Sequence, residues 1–534
     1  MDILLDFTVI FTAAAVMLLI MDRFDHPSIP AYIIAGLIAG NLISGDDLMD
    51  LAQIGIAFLV FVFGLKYNPR NLRSTASTTL NTTIIQMAIT GGLAYLVATI
   101  LGFDSTNSLY FAIAGALSSS LVGLQLTERE IHTNLLHGRL SESIHFIQDM
   151  IAFLMIAVFL SASLESAAYA VLFTVLIIGV AILFRDYVFT FIAEQTEGNH
   201  ELLTMAALTL LIVFIGITEI LGISMVVGAF AAGLAASKFP YNIELLDSMG
   251  SIKDFFSAIF FVVLGALVTI PDQKVIASAT ALTLIVVIVA PLITYHTLKI
   301  YGYDNRTSLL TGLSLDQISE LALIVTIQAS LLDIISSTTF ESVILAATAT
   351  MIISSYTKKH EEAIYAASGP RTKERKSYDI ENHVILVGHD IQGKKIAEGL
   401  KEEETEYVII ENDPEKVSAL RDQDTKVVYG DIMDDITWRE ANVSEARIII
   451  STVPSKRVSE EILRLEEPED KIVRAENKEE AAEMLEKGAL HTIVPDIAAN
   501  EKLLEHMEGL ENNIRLREEL KRENLLEFKK YLNR

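Results

Sequence analysis

The stretch Ser141-Glu-Ser-Ile-His145-Phe-Ile-Gln148-Asp149-Met-Ile-Ala-Phe153-Leu-Met-Ile-Ala-Val-Phe-Leu160 decides how the chain is read. Its apolar part is long enough to cross a bilayer as a helix, which takes about 20 residues, yet it carries a carboxylate. An ionised Asp at the centre of a membrane helix costs about 2.5–3.5 kcal/mol on insertion scales, so it normally faces a cavity or a partner and marks an ion or proton path. Asp149 is therefore the first candidate site residue. A protonated carboxyl, or one bonded to a neighbouring helix, is the alternative reading of the same position.

Working outward, the 534 residues are 51% hydrophobic with a mean hydropathy of +0.43, too apolar for one soluble domain and too charged for a chain wholly buried in lipid. Two kinds of region coexist. A formal charge of −27 excludes a nucleic-acid partner, which needs clustered Lys and Arg. With no cysteine, disulfides, thiolate metal sites and cysteine nucleophiles are excluded. The first apolar run, Ile3 to Ile20, has no basic start and no small-residue cleavage site, and reads as a retained helix.

Up to Tyr356 apolar runs alternate with short polar breaks, giving about thirteen candidate spans of ~20 residues. They fall near 3–21, 29–45, 48–66, 79–101, 107–126, 140–161, 166–184, 201–221, 223–237, 251–270, 275–299, 307–330 and 335–356, with soft boundaries around 186–200 and at Gly222. Loop charge tests the count. With the N-terminus outside, Arg23, Lys66, Arg70, Arg73, Arg129, Arg139, Arg185, Lys238, Lys253, Lys299, Arg306, Lys358 and Lys359 all fall inside, and Lys274 nearly alone falls outside. That is the positive-inside bias, which puts the C-terminal half in the cytoplasm of a multi-pass cell-membrane protein.

The third span ends Phe-Val-Phe-Gly64-Leu65 and the tenth Phe-Val-Val-Leu-Gly265, seven spans apart and so oppositely oriented, as in an inverted repeat. Two other spans seven apart break the apolar pattern. The fifth holds Gly115-Ala-Leu-Ser118-Ser119-Ser120-Leu-Val-Gly123, and the twelfth holds Gly312-Leu-Ser314-Leu-Asp316-Gln317-Ile-Ser319-Glu320. Glycines and hydroxyls permit an unwound backbone, tolerated at membrane depth only where it lines a cavity or is buried in protein. Small-residue helix packing would account for the serines but not for the acidic pair.

The chemistry follows from competition. If Asp149 faces a cavity, burial disfavours its ionised form, and a proton and a monovalent cation contend for one carboxylate. Gln148 adds an amide oxygen without charge, so one proton exchanges for one cation and turnover is electroneutral. Ser118, Ser119 and Ser120 offer neutral oxygens. His145 and Glu142 lie one and two turns earlier on nearly the same face as Asp149, where they either feed protons or are simply solvated.

After a charged, breaker-rich segment the period changes. His383-Val-Ile-Leu-Val387, Tyr407-Val-Ile-Ile410, Thr425 to Tyr429 and Ala446 to Thr452 read as strands alternating with helices, hence a parallel α/β sheet. The first is followed by Gly388-His389-Asp390-Ile-Gln-Gly393 and the second ends at Glu411, a dinucleotide-fold signature with Asp390 in place of the second glycine. Asp390 would either repel phosphate or cap the following helix. Trp438, the only tryptophan, reads as a core residue.

Together, Leu117-Ser-Ser-Ser120, Gln148-Asp149, Leu221-Gly-Ile-Ser-Met-Val-Val-Gly228-Ala-Phe-Ala-Ala-Gly233, Phe260-Phe-Val-Val-Leu-Gly265 and Ser319-Glu320-Leu resemble the Kef-type branch of the monovalent cation:proton antiporters. The C-terminal half resembles that branch's RCK nucleotide-binding domain, with Asn412-Asp413-Pro and Tyr429-Gly430-Asp431 matching strand ends that border its adenosine pocket. The resemblance implies a homodimer in which the fifth and twelfth spans cross near Asp149. It also implies K+/H+ exchange for a Gln-Asp pair, where Asp-Asp goes with Na+/H+ exchange, and AMP, ATP or NAD as a regulatory ligand. This chain departs from the branch in having Lys66 where Glu is common after Gly64-Leu65, no basic residue near Ala290-Pro291 in the eleventh span, and Ser319 and Asp316 before Glu320.

The reading is thus an α-helical polytopic membrane protein with an inverted repeat and crossed discontinuous helices, followed by a Rossmann-like RCK domain. The boundaries are 1–357 for the exchanger, 358–380 for a linker, 381–496 for the RCK domain and 497–534 for a helical tail. It is a cation/proton antiporter and not an enzyme, with Na+/H+ exchange, a ligand-gated K+ channel on the same scaffold or a non-transporting sensor as alternatives. Asp149, Gln148, Ser118, Ser119, Ser120, Asp316 and Glu320 handle cation and proton, with Asp149 as the ligand of the monovalent cation. Gly388, His389, Asp390, Gly393, Glu411, Asp413 and Asp431 face the nucleotide, and transport itself needs no cofactor.

Overall fold

The computed structural model describes residues 2–24, 26–40, 47–66, 76–132, 135–159, 164–195, 199–238, 241–269, 271–368, 378, 380–433 and 435–495. It divides into two units, Met1–Pro370 and Arg371–Arg534. The expected C-terminal tail lies outside the described residues.

Among the described residues, the named elements of the first unit are all helices. Its chain order is α1 (Asp2–Asp22), α2 (Ser28–Ala39), α3 (Asp47–Leu65), α4 (Ala76–Ile100), α5 (Ser105–Ala116), α6 (Ser120–Leu126), α7 (Glu128–His132), α8 (Leu136–Phe159), α9 (Leu164–Phe184) and α10 (Thr190–Gln195). Then come α11 (His200–Ile220), α12 (Met225–Ala235), α13 (Tyr241–Ala266), α14 (Gln273–Leu284), α15 (Ala290–Ile300), α16 (Asn305–Leu313), α17 (Glu320–Leu331), α18 (Ser337–Lys359) and α19 (Glu361–Ser368). Among the described residues, six continuous helical stretches are long and apolar enough to cross a membrane by themselves, including Thr78–Ile100, Gln273–Ile300 and Ser337–Lys359.

Four details of the helices go beyond the expected elements. The seventh span does not stop at 184, because a π-turn at Arg185–Phe189 carries the helix on into α10. The tenth begins at Tyr241, well before the apolar run that marks it in the sequence. The eleventh continues through a π-turn at Ile285–Val289 just ahead of Pro291; such a bulge accommodates the ring that would clash with the preceding turn. Finally, the start of the expected linker is helical: Lys358 and Lys359 end α18 where cations favour the helix dipole, and Glu361 opens α19.

Close helix contacts repeat with opposite sense. A Cβ on Gly64 of α3 would strike the backbone of Phe230 and Gly233 in α12, and one on Gly265 of α13 would strike the backbone of Ile33 in α2. Backbone-to-backbone approach of this kind is the small-residue packing that membrane helices use. The broken spans match as well. Gly102 and Gly302 both take positive φ (80° and 91°). Asp104 and Asp304 each cap the helix that follows, accepting from Asn107 N and Thr307 N respectively, both at 2.8 Å.

The second unit is a six-stranded parallel sheet of order β3-β2-β1-β4-β5-β6, with β1 His383–Val387, β2 Tyr407–Glu411, β3 Val427–Tyr429, β4 Ala446–Ser451, β5 Asp470–Arg474 and β6 His491–Ile493. The helices are α20 (Ile391–Glu402), α21 (Pro414–Asp422), α22 (Asp435–Glu440), α23 (Lys456–Arg464) and α24 (Lys478–Glu486). The first four strands match the sequence reading, and β5 and β6 were not expected from it. Asp-Lys-Ile-Val-Arg is charged at three of five positions, and its Lys471 Nζ donates to Leu465 O at 2.6 Å instead of pointing to solvent. Trp438 is buried and donates Nε1–H to Ile432 O at 2.7 Å.

The glycine contacts generate a comparison. Gly64→Val should lower the apparent melting temperature of the detergent-solubilised protein by the equivalent of about 1–3 kcal/mol or more. Gly92→Val, where a Cβ meets nothing within 4 Å, should not. Equal melting curves would show that the α3–α12 approach tolerates a side chain.

Candidate functional site

At the crossing, α5 ends at Ala116 and α6 starts at Ser120, while α16 ends at Leu313 and α17 starts at Glu320. The two extended gaps meet as an antiparallel bridge between Ser118 and Ile318. Ser119 N–H donates to Gln317 O at 3.2 Å, and Ser319 N–H donates to Leu117 O at 2.9 Å. Two further amides of the gaps are met by side chains: Ser118 N–H by Gln148 Oε1 at 3.2 Å and Ile318 N–H by Thr350 Oγ1 at 3.1 Å. Each such amide left unmet in hydrocarbon would cost several kcal/mol, so these bonds are what permit the breaks.

Ser119 and Ser319 then cap their half-helices, each Oγ accepting a backbone N–H at 3.1 Å, from Val122 and Leu321 respectively. One constant numerical offset relates Gly102 to Gly302, Asp104 to Asp304, Ser119 to Ser319 and Ser120 to Glu320. Glu320 breaks the match chemically. Its carboxylate reaches across to the opposite half-helix, accepting from Ser119 Oγ at 2.5 Å, Ser120 Oγ at 3.3 Å and Leu121 N at 2.9 Å. A buried carboxylate at a helix N-terminus, held by one amide and two hydroxyls, is a well-satisfied anion position.

Asp149 of α8 is partly exposed, with the Ser120 hydroxyl and the Glu320 carboxylate as its polar neighbours. One turn further along α8, Phe153 stacks on Phe230 of α12 with ring centroids 4.0 Å apart, an apolar wall on that side. One turn earlier, buried His145 Nδ1 pairs with Ser141 O at 2.8 Å, and its Nε2 has no partner among the described residues. Gly123 leaves room for this ring, since a Cβ there would lie 2.5 Å from Nε2.

The structure therefore brings together Asp149, Ser118, Ser119, Ser120 and Glu320. Gln148 stands with them but is engaged at both ends, its Nε2 donating to Gln86 Oε1 at 2.6 Å. Asp316 does not join the cluster by any bond; it is fully buried, and both its carboxylate oxygens lack partners among the described residues. Several bracing residues escaped the sequence reading: Gln86, Thr350, Ser354 and Gln317, whose Nε2 donates to Ser119 O at 3.2 Å and Ser314 O at 2.9 Å. The available signal was a lone amide in the apolar Thr-Ile-Ile-Gln86-Met-Ala and the hydroxyls of Thr350 and Ser354 toward the end of α18.

In the second unit Gly388 takes φ 87°, and a Cβ on Gly393 would strike the Gly388 carbonyl, so both outer glycines of the turn are required by geometry. Glu411 accepts from His389 N at 2.9 Å, Asn412 N at 3.0 Å and Asp413 N at 3.1 Å. Asp390 does not cap α20; its Oδ1 takes Lys416 Nζ at 2.5 Å, and the same ammonium lies 3.7 Å from Glu411. Asp431 Oδ1 accepts from Met433 N at 3.0 Å, and Asp413 is buried beside Glu411.

Comparison with known families gives a direct answer: the profile described as "Sodium/hydrogen exchanger, transmembrane" matches residues 9–359, and "TrkA-N domain" matches 384–495. The chain belongs to the sodium/hydrogen exchanger family. It is a multi-pass membrane transporter, a cation/proton exchanger and not an enzyme. KefB of Alkalimonas amylolytica, whose name proposes it as a K(+) efflux antiporter, is 25% identical over 526 residues, 92% of this chain and 79% of that one. YbaL of Escherichia coli (strain K12), named in the same provisional way as a cation/proton antiporter, is 24% identical over 515 residues, 89% and 92% of the two chains. The sodium proton antiporter MjNhaP1 of Methanocaldococcus jannaschii shares the fold, with a TM-score of 0.53 at 18% identity over 68% of this exchanger and 99% of that chain.

Burial holds the Glu411 carboxyl above its ordinary range, with Lys416 pulling the other way. A carboxyl raised in the folded state contributes stability that is complete below its unfolded value and is lost as pH climbs toward the folded one. Lys416→Met should widen that window, so the second unit of the variant should lose more melting temperature relative to wild type at pH 7 than at pH 4.5. Trp438 fluorescence of the whole protein reads this unit alone; an equal deficit at both pH values would mean that Lys416 does not act on Glu411.

Proposed function

We propose that this exchanger moves K+ against H+, with Asp149 as the carboxylate that binds each in turn. The observation that carries the reading is a partly exposed acid beside Ser120 and Glu320, where two interrupted helices cross. Ser118, Ser119 and Ser120 supply neutral oxygens, and Glu320 fixes the opposite half-helix. Gln148, committed to Ser118 N and Gln86, braces the break and adds no charge, so one proton leaves for each cation and turnover is electroneutral. Preference for K+ over Na+ is carried over from the names of the relatives, and the Gln148-Asp149 pair agrees with it.

On the same reading the chain crosses the membrane about thirteen times with its N-terminus outside, as the loop charges require, and works as a homodimer. Residues 1–357 form the exchanger, 358–380 the connection, 381–496 a cytoplasmic RCK domain and 497–534 the tail. AMP, ATP or NAD would bind that domain through Gly388, His389, Gly393, Glu411, Asp413 and Asp431. The positive φ of Gly388 and the carboxylate at the end of β2 are the features a dinucleotide needs. Lys416 is held by Asp390 at the edge of this site.

Vesicles with a trapped pH dye test the central claim. Adding K+ or Na+ should drive proton movement in wild type, and Asp149→Asn should lose it; full exchange by the variant would sink the assignment. Conductance without pH change would point to a channel. For the second unit, Asp390→Gly should bind nucleotide as tightly as wild type or more so, because it frees Lys416 for phosphate. A large loss by calorimetry would make Asp390 itself a ligand contact.

A further inference from the structure

We propose that Asp316 is a second proton-holding site, in series with Asp149 and reached through Ser354 from the pocket that Lys358 lines. The inference rests on exchange through Asp149 and adds a station to it.

Asp316 lies in the gap between α16 and α17, wholly buried, with neither carboxylate oxygen paired among the described residues. No charged group acts on it, and the Ser354 and Thr357 hydroxyls beside it are given to Gln317 Oε1 and Ile353 O. Unlike Glu320, which has three donors, a buried carboxylate with neither a counter-charge nor a donor does not stay ionised. Either a proton or a cation must neutralise it. A dehydrated alkali cation needs a ring of oxygens to replace its water. Here the neighbouring Ser314 and Leu315 carbonyls each already accept a hydrogen bond, from Gln317 and from Ser118 Oγ at 3.0 Å, which leaves one lone pair apiece for a cation. A proton needs one acceptor.

A route also exists. Ser354 lines a pocket with Gly123, Thr127, Ser314, Lys358 and Glu361, and its hydroxyl donates to Gln317 Oε1 at 2.9 Å, so it stands between the pocket and the break. Lys358 lines the same pocket, bound to Glu130 at 2.8 Å and Glu361 at 3.0 Å. On the Asp149 side, Ser314 Oγ meets Ser141 Oγ, and Ser141 O meets His145. The titratable and charged groups facing this region are His137, His145 and Asp149 of α8, Glu320 of α17, Lys358 of α18, Glu361 of α19, Glu130 of α7 and Arg306 of α16, which lies with Lys358 near His137; α6 has none.

The test uses full-length protein in dye-loaded vesicles, as wild type, Asp149→Asn, Asp316→Asn and Asp316→Glu, over a range of pH and cation concentration. An active Asp149→Asn would remove the base on which the proposal stands. With that variant inactive, Asp316→Asn should keep its half-saturating cation concentration and lose roughly tenfold or more in maximal rate, as for loss of a positioned proton-transfer group. The loss should be steepest at alkaline pH and restored by Asp316→Glu. Three results would overturn the proposal: an unchanged rate and pH profile; a raised half-saturating cation concentration with the maximal rate intact, which would make Asp316 a cation ligand; or a lowered melting temperature in detergent with no rescue by Glu, which would make it structural.

Discussion

Everything in the membrane unit depends on one pair of backbone hydrogen bonds, Ser119 N–H to Gln317 O and Ser319 N–H to Leu117 O. Hydrocarbon offers no water to satisfy a broken helix, so two breaks can exist at depth only by satisfying each other. The remaining needs of that crossing account for residues far apart in the chain. Gln148 is polar because Ser118 N needs an acceptor, Gln86 because Gln148 has a second end, and Thr350 because Ile318 N needs an oxygen. Freed from ladder duty, the half-helix starts are then available for charge, and Glu320 takes one of them.

Much of this was legible in the sequence, for a physical reason. Composition must change wherever solvent changes, so the apolar runs, the one-sided loop charges and the switch to strand periodicity near His383 are unavoidable signatures. The breaks at Ser118–Ser120 and Ser314–Glu320 could be seen because glycine, hydroxyl and acid are expensive in lipid. What could not be read were relations between distant residues. Gln148 looks the same as an ion ligand or a brace; only the positions of Ser118 and Gln86 decide. Asp390 was expected to repel phosphate or cap α20, and it does not cap because Lys416, a helix away, offers a closer partner. The strand β5 was hidden because its Lys471 satisfies a loop carbonyl, which hydropathy cannot distinguish from exposure, and β6 because it is only three residues long.

The two units also show different uses of glycine. In the second, Gly388 is needed for its backbone angle and Gly393 for clearance, in one short turn. In the first, Gly64 and Gly265 sit in ordinary helices and are needed only for what lies opposite them. A turn motif announces the former within six residues. The latter becomes visible only when two copies of the packing are compared.

The offset between Ser120 and Glu320 has an energetic corollary. If the two repeats trade conformations as access alternates, the end states would be mirror partners of equal free energy only were the side chains to follow the same symmetry. An acid faces a hydroxyl across the crossing instead. Such a trade would move a carboxylate between two unlike surroundings, and would leave the two end states unequal in free energy before any ion gradient is applied.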